Sequence, residues 1–369
     1  MFNRKNPLPK GSKKLIGAWT LYDWANSVYS LVISTAIFPI YYSEYIFANS
    51  DSIVLFNMDI NKDTVISLVS ATSFLIVAFL SPFLSGIADY LGNKKTFMKF
   101  FVLLGSFSCI GLYWFELETI QFGLILYILA LIGLWGSLVF YNSYLPDITY
   151  PEQTNRVSAK GFTMGYIGSV ILLIINLIMI TYYEQLNLSS EVQAMKYSFV
   201  LVGLWWLLFS QYSFYHLPKG NKGVKLPKNV IWNGFRELKG VYKIIKSSKK
   251  FTRFLTAFFI FSFSLQTVLF IASYFGVTEI EWSSSAEQTT GLIISIILIQ
   301  IIAIFGAILF TRAAEKFGNI VVLTVAIASW SLICGYAYFI TTPTQFYLIA
   351  GFVGLLMGGT QTIARATYS

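Results

Sequence analysis

Apolar residues fill ten long runs of this chain, and short polar stretches separate them. Each run is about 20 residues long or more, the length that an α-helix needs to cross the hydrocarbon core of a bilayer. The runs predict membrane-spanning helices at residues 15–42, 64–88, 97–115, 119–145, 159–183, 195–216, 253–275, 288–311, 319–340 and 344–366. The chain is therefore predicted to be an all-α, multi-pass integral membrane protein.

The composition agrees with this interpretation. Hydrophobic residues make up 56% of the chain and charged residues 12%, whereas charged residues are about a quarter of a soluble globular chain. The two cysteines, Cys109 and Cys334, lie inside apolar runs, so neither a disulfide nor a metal site is predicted. The net charge of +9 comes without an aromatic and basic pattern of the kind that binds nucleic acid, which excludes that class.

The positions of Lys and Arg orient the spans. With ten spans, all but two of the 26 Lys and Arg residues fall on the side of the N-terminus, and the two exceptions are Lys62 and Lys196. Cytoplasmic loops of membrane proteins are enriched in Lys and Arg. The N-terminus is therefore predicted to be cytoplasmic.

A basic stretch divides the ten runs into six and four. Residues 217–252 contain apolar residues at helical spacing between Trp232 and Ile245, with Lys and Arg between them. This pattern is typical of an amphipathic helix that lies on the inner leaflet and contacts anionic lipids. The predicted domains are a six-helix bundle over 1–216, this linker over 217–252, and a bundle of four helices over 253–369.

Two short stretches of the chain resemble each other. Residues 86–93 and 312–319 share the order Ala, acid, any residue, apolar, Gly, Asn, and each follows a long apolar run. Such a repeat predicts two similar halves joined in tandem, with a functional site between them. The charged and glycine residues of these loops are predicted to form a hinge or gate: Gly86, Asp89, Gly92, Lys94 and Lys95 in the first copy, and Glu315 and Gly318 in the second.

The first of these loops resembles the hallmark loop of the major facilitator superfamily, and four other segments resemble its Atg22-like branch. These segments are 21–27, 141–147, 156–168 and 358–361 with Arg365. The branch contains vacuolar amino-acid effluxers and their bacterial relatives. The resemblance implies a transporter of two six-helix bundles in a bacterial inner membrane, with amino acids as cargo. Asp147 and Arg156, which lie in these segments, are predicted to take part in gating. Asn142, near the inner end of the fourth run, is expected equally to gate or to bind the solute.

The sequence departs from that family in one respect. It ends at Ser369, directly after the tenth run, whereas the family continues through two more helices. The chain is therefore expected to be a fragment of a twelve-helix protein. Transport itself is in question if the ten-helix chain is complete.

Asp23 is the ionisable residue that lies well inside an apolar run. Counted at 1.5 Å per residue, it lies roughly 13 Å beyond Lys14, and a carboxylate at that depth costs about 2.5–3.5 kcal/mol unless it is neutral, paired or hydrated. Asn26 shares its helix face, and Tyr22 and Tyr29 extend the polar edge. We predict a solute or proton site there. The alternative is a packing carboxylate held by Arg156, Lys160 or a neighbouring hydroxyl group.

Two glutamines complete the predicted site. In the superfamily, the first and fourth helices of each half line the cavity. Gln266 and Gln361 fall in the corresponding seventh and tenth runs. Either residue alone is more often a packing contact between helices than a ligand.

Three functional classes fit a multi-pass membrane protein, and the sequence features favour them unequally. The repeat, the hinge loop and the resemblance favour a secondary active transporter that effluxes a small solute by alternating access, with proton coupling as an open alternative and no cofactor. An intramembrane enzyme is disfavoured because the sole histidine, His216, lies at an end of the sixth run and no nucleophile or metal motif is present. A non-transporting receptor or scaffold remains an alternative, and the oligomeric state is not predicted.

Overall fold

The computed structural model describes residues 8–47, 52–55, 58–91, 93–219, 239–240, 242–243 and 246–368. Within these residues, nine helices are long and apolar enough to cross a membrane. They coincide with the second to the tenth predicted runs. The long helices are α3 (Lys62–Leu91), α4 (Lys94–Gly111), α5 (Ile120–Ser143), α7 (Thr154–Thr181), α8 (Glu191–His216), α9 (Lys249–Thr278), α10 (Ser285–Phe317), α11 (Asn319–Ala337) and α12 (Pro343–Tyr368). The short helix α6 (Leu145–Ile148) follows α5.

The first predicted run is helical but not uniform. It begins as α1 (Lys13–Val28), continues as a π-helical segment (Tyr29–Ile37), and ends with α2 (Phe38–Ile40) and a second π-helical segment (Tyr41–Ile46). The Thr35 hydroxyl donates to the carbonyl of Ser30, five residues earlier, over 2.9 Å. Pro39 lacks the N–H that an α-helix would use, so the α-helical ladder is interrupted near it.

Several helices extend past the apolar runs that predicted them. The largest difference is in α10, which continues to Phe317 although its apolar run ends at residue 311. Its start is capped by Ser284, whose side chain accepts from the Glu287 N–H, and its end is marked by Gly318 at φ +86°. Both are common helix-terminus signals. Apolar length therefore predicts the membrane-embedded part of a helix, and the caps set its true ends.

The segment before α3 contains two short strands, which the pattern of apolar runs does not predict. Strands β1 (Ser52–Leu55) and β2 (Met58–Asn61) pair in antiparallel register, from Ser52 opposite Asn61 to Leu55 opposite Met58. Each strand has four residues. Segments of four residues are too short to be detected as apolar runs of membrane length.

The contacts divide the chain into two compact units. Unit 1 comprises Met1–Pro151 and Ile167–Gly234, and unit 2 comprises Glu152–Tyr166 and Phe235–Ser369. The start of α7 thus belongs by its contacts to unit 2. The predicted domain limits at 216 and 252 stay a prediction, because most of the linker lies outside the described residues.

Glycines allow the helices of each unit to approach closely. In unit 1, a Cβ added to Gly133 on α5 would lie 2.5 Å from the Cα of Gly105 on α4. In unit 2, a Cβ added to Gly358 on α12 would lie 2.0 Å from the Ala303 carbonyl oxygen on α10. Small residues at helix crossings are the usual means of tight packing in membranes. These crossings fix the helices that carry the polar residues described next.

Candidate functional site

Asp23 is buried inside unit 1 and accepts a hydrogen bond from another helix. Its side chain is only 4% exposed. The Tyr141 hydroxyl, from the end of α5, donates to Asp23 Oδ2 over 2.7 Å. This contact fits the interpretation of Asp23 as a packing carboxylate held by a neighbouring hydroxyl group. It fits a proton site at the same atoms equally well.

Trp19 holds Tyr141 in place. The two rings stack with centroids 4.4 Å apart and planes 14° from parallel. The Trp19 indole N–H also donates to the Tyr141 carbonyl oxygen over 3.0 Å. Trp19 lies one helical turn before Asp23 on α1, so a single helix presents both the carboxylate and the ring that orients its donor.

The other predicted residues of α1 surround this pair. The Tyr22 hydroxyl donates to Ser137 Oγ on α5 over 2.7 Å, and its ring lies 4.8 Å from that of Tyr141. The Asn26 amide donates to the carbonyl of Tyr22 over 2.7 Å, which turns this amide back onto its own helix. Tyr29 is fully buried, and its hydroxyl has no hydrogen-bond partner among the described residues.

The predicted hinge of unit 1 is described in part. The Lys94 ammonium lies 3.1 Å from Asp147 Oδ2 and 3.3 Å from the Ser143 carbonyl oxygen. Lys95 is buried, and its ammonium donates to the carbonyl of Leu217, just past the end of α8, over 2.8 Å. The two lysines thus tie the start of α4 to the ends of α5 and α8. Gly92 and the side-chain environment of Asp89 and Gly86 lie outside the described residues.

In unit 2, the structure brings together two residues predicted to gate. The Arg156 guanidinium, at the start of α7, binds both carboxylate oxygens of Glu315 on α10, over 2.5 and 2.9 Å. Beside it, the side-chain amides of Asn155 and Asn319 exchange hydrogen bonds of 2.7 and 3.1 Å. The start of α7 is therefore joined to the junction of α10 and α11.

The same face of α7 continues with polar contacts to α12. The Arg365 side chain is 9% exposed and donates to the hydroxyl and the carbonyl of Ser158, over 3.1 and 2.6 Å. Its guanidinium carbon lies 3.7 Å from the centre of the Phe162 ring. One turn further on, the Tyr166 hydroxyl donates to Gln361 Oε1 over 2.8 Å. Successive turns of α7, at Ser158, Phe162 and Tyr166, thus contact α12.

Two predicted residues lie apart from these groups. Gln266 on α9 is exposed. Asn142 is partly buried, and its Oδ1 has no hydrogen-bond partner among the described residues. Over the part of the chain that the structure describes, no group of three or more His, Cys, Asp or Glu residues could hold a metal ion.

Sequence reasoning did not select several residues that the structure places at these contacts. They are Trp19, Tyr141, Asn155, Ser158, Tyr166 and Asn319. Some lay in segments already noted, since Tyr141 opens the 141–147 segment and Asn319 ends the second repeat. Their partners lie between 118 and 207 positions away along the chain, a separation that a single sequence does not reveal.

Comparison with known proteins gives a family match along nearly the whole chain. The family described as "Vacuole effluxer Atg22 like" matches residues 11–369. The "Uncharacterized MFS-type transporter YxiO" of Bacillus subtilis (strain 168) is 31% identical over 353 residues, 95% of this chain and 79% of that protein. "Autophagy-related protein 22" of Yarrowia lipolytica (strain CLIB 122 / E 150) is 25% identical over 58% of this chain. The match spans 40% of this fungal relative.

Solved structures share the fold at low sequence identity. The proton:xylose symporter XylE aligns with a TM-score of 0.61 and 14% identity, over 96% of this chain and 85% of its own. The E. coli fucose:proton symporter FucP aligns with a TM-score of 0.61 and 13% identity, over 96% and 86%. At these identities, the likeness concerns the fold alone.

Proposed function

Because the chain belongs to the Atg22-like family of major-facilitator-type transporters, we propose that it is a secondary active transporter that exports a small solute, with amino acids as the expected cargo. The family and the fold are those of integral, multi-pass membrane transporters and not of enzymes. The cargo, the direction and the energy coupling belong to the proposal. So do a bacterial inner membrane as the location and a cytoplasmic N-terminus.

The observation that carries the proposal is the row of polar contacts along the first half of α7. A transporter that works by alternating access needs contacts that close one side and can part again. Hydrogen bonds and an exposed ion pair meet this need, because an exposed pair contributes only about 0–1 kcal/mol. Arg156 with Glu315, and Asn155 with Asn319, form such contacts at the end of α7 that is predicted to be cytoplasmic.

The buried carboxylate of Asp23 supports a coupling role. A charged carboxylate at membrane depth is expensive, and proton uptake removes the charge. In the proposal, Asp23 takes up and releases a proton during each cycle. The change in its charge shifts the equilibrium between the conformations open to the two sides of the membrane. A zwitterionic cargo fits this site because its ammonium group can also approach a carboxylate.

Transport by purified protein in liposomes tests the proposal. We expect an imposed pH gradient to drive movement of a labelled amino acid, tried one amino acid at a time, and Asp23→Asn to abolish that movement. Asp63→Asn is the matched control, because Asp63 lies at the start of α3 and is exposed. Gradient-driven movement that is unchanged in Asp23→Asn would rule out the coupling role. The absence of movement of any of these solutes by the unaltered protein would contradict the assigned cargo.

A further inference from the structure

Three polar side chains on one face of α8 have no hydrogen-bond partner in the part of the chain that the structure describes. They are the indole N–H of Trp206 and the hydroxyl groups of Ser210 and Ser213, and all three residues are 0% exposed. Their positions are i, i+4 and i+7, so they share one face of the helix. From Trp206 to Ser213 this face runs for about 10 Å, a third of the hydrocarbon core of a bilayer.

This face of α8 packs against α1 and the π-helical segment that follows it. The rings of Trp206 and Tyr29 have centroids 6.1 Å apart, and those of Phe214 and Tyr22 have centroids 6.5 Å apart. Numbers rise along one element as they fall along the other, so the two are antiparallel. The Tyr29 hydroxyl is also fully buried, and no described residue bonds to it. We call the following four residues the polar seam: Tyr29, Trp206, Ser210 and Ser213.

A third helix brings another such group to the Trp206 end of the polar seam. Ser106 on α4 is fully buried, and its hydroxyl has no partner among the residues described. A Cβ added to Gly203, one turn before Trp206, would lie 2.5 Å from the Ser106 carbonyl oxygen. A Cβ added to Gly105 would lie 2.3 Å from the Trp206 ring. Polar groups from three elements of unit 1 are therefore buried side by side.

Other polar side chains of α8 are bonded within the helix. The Ser198 hydroxyl donates to the Ala194 carbonyl over 3.1 Å, and the Gln211 amide donates to the Leu207 carbonyl over 2.8 Å. A bond to the carbonyl four residues earlier is a common way to satisfy a polar side chain in an apolar helix. Buried polar atoms are costly without a partner, and in folded proteins nearly all of them bond to protein or to ordered water. The polar seam thus needs partners that the chain does not supply.

We propose that the polar seam binds a row of water molecules inside unit 1. Its groups, together with Ser106, are four hydroxyls and one N–H, all neutral, so their ligand has to donate and accept hydrogen bonds and needs no charge. Water does both, and a buried water makes about three such bonds. A charged or bulky solute does not fit between side chains that are fully buried. The proposal goes beyond the proposed function and does not depend on its cargo, direction or coupling.

X-ray radiolytic labelling of the full chain in nanodiscs tests the proposal. X-rays turn water into hydroxyl radicals that oxidise the side chains beside it, so a buried ring is labelled only where water is bound. Trp206 and Tyr29 should be oxidised several times faster than Trp19 and Tyr141, measured by mass spectrometry against exposure time. Trp19 and Tyr141 are the matched control. They are also fully buried and in ring contact, but the Trp19 N–H donates to the Tyr141 carbonyl and the Tyr141 hydroxyl donates to Asp23.

Two variants show whether the water depends on the polar seam. Trp206→Phe removes the N–H and keeps an aromatic ring, so the oxidation rate of Tyr29 should fall several-fold. Ser198→Ala removes a hydroxyl that is already bonded within α8, so the same rate should not change. Monodisperse elution in detergent shows that each variant keeps the fold. If Trp206→Phe does not fold, the comparison of the two ring pairs in the unaltered protein decides the matter.

The rates give clear outcomes. Equally slow oxidation of all four rings would overturn the proposal, because no water would then lie at the polar seam. Equally fast oxidation would overturn it too, since the labelling would then follow from a general opening of unit 1. Neither result bears on whether the protein moves a solute, which the liposome assay measures separately.

Discussion

At the scale of single residues, the environment of Asp23 explains how unit 1 tolerates a carboxylate. At the membrane depth predicted for it, a carboxylate costs about 2.5–3.5 kcal/mol on insertion scales. A hydrogen bond to a charged group returns about 1.5–3 kcal/mol, so the Tyr141 hydroxyl alone offsets much of that cost. The hydrogen-bonded pair is therefore far less costly than an isolated carboxylate would be at that depth.

A prediction at this scale concerns the crossing of α4 and α5. A Cβ on Gly133 would lie 2.5 Å from Gly105 N and Cα and 2.8 Å from the Phe101 carbonyl oxygen, all backbone atoms. Gly133→Ala should therefore lower the free energy of unfolding by about 1–3 kcal/mol, measured as a lower Tm in detergent. In Gly335→Ala on α11, where no atom lies within 4 Å, the Tm should be unchanged or slightly higher. Equal Tm values for the two variants would contradict the close crossing.

At the scale of elements, the sequence predicts where helices cross the membrane because apolar length is a property of each segment alone. The predicted run at 319–340 and helix α11 (Asn319–Ala337) begin at the same residue. The π-helical segments and the β1–β2 hairpin were not predicted, since they depend on local hydrogen bonding that hydropathy does not report. Pairing was not predictable either: Arg156 and Glu315 lie 159 positions apart, and each was assigned a gating role only from its own motif.

The ion pair between α7 and α10 gives a prediction at this scale. Arg156→Glu replaces a weak attraction to Glu315 with a repulsion between two carboxylates, so the closed contact should become several-fold less populated. We expect a slower initial rate of coupled transport in liposomes. Exchanging the charges, with Arg156→Glu and Glu315→Arg together, should restore the rate.

The control for this experiment is Lys316→Glu. Lys316 is adjacent to Glu315, and its ammonium lies 5.2 Å from the centre of the Phe317 ring. The substitution changes the local charge but leaves Arg156 and Glu315 in place, so the initial rate of coupled transport should stay near that of the unaltered protein. A slow double variant would count against a gating role for the pair.

At the scale of the whole molecule, both copies of the repeated loop occupy equivalent positions. The first copy includes the end of α3 and stops before α4, and the second includes the end of α10 and the first residue of α11. This correspondence could be predicted from the sequence, because the same order of alanine, acidic residue, glycine and asparagine recurs in both loops. That Glu152–Tyr166 belongs to unit 2 while the rest of α7 belongs to unit 1 could not be predicted from the sequence, because this division depends on contacts between residues far apart along the chain.

In the proposed transport cycle, the first half of α7 separates from its partners and returns to them. Asn155 and Asn319, whose amides lie 2.7 Å apart, can be replaced by cysteines in a Cys334→Ser background, with buried Cys109 retained. The measurement is amino-acid flux in liposomes before and after a short bis-methanethiosulfonate cross-linker, and again after reductant. Cross-linking should stop flux in the double-cysteine protein, reductant should restore it, and the flux of either single-cysteine protein should not change. Undiminished flux through fully cross-linked protein would contradict it.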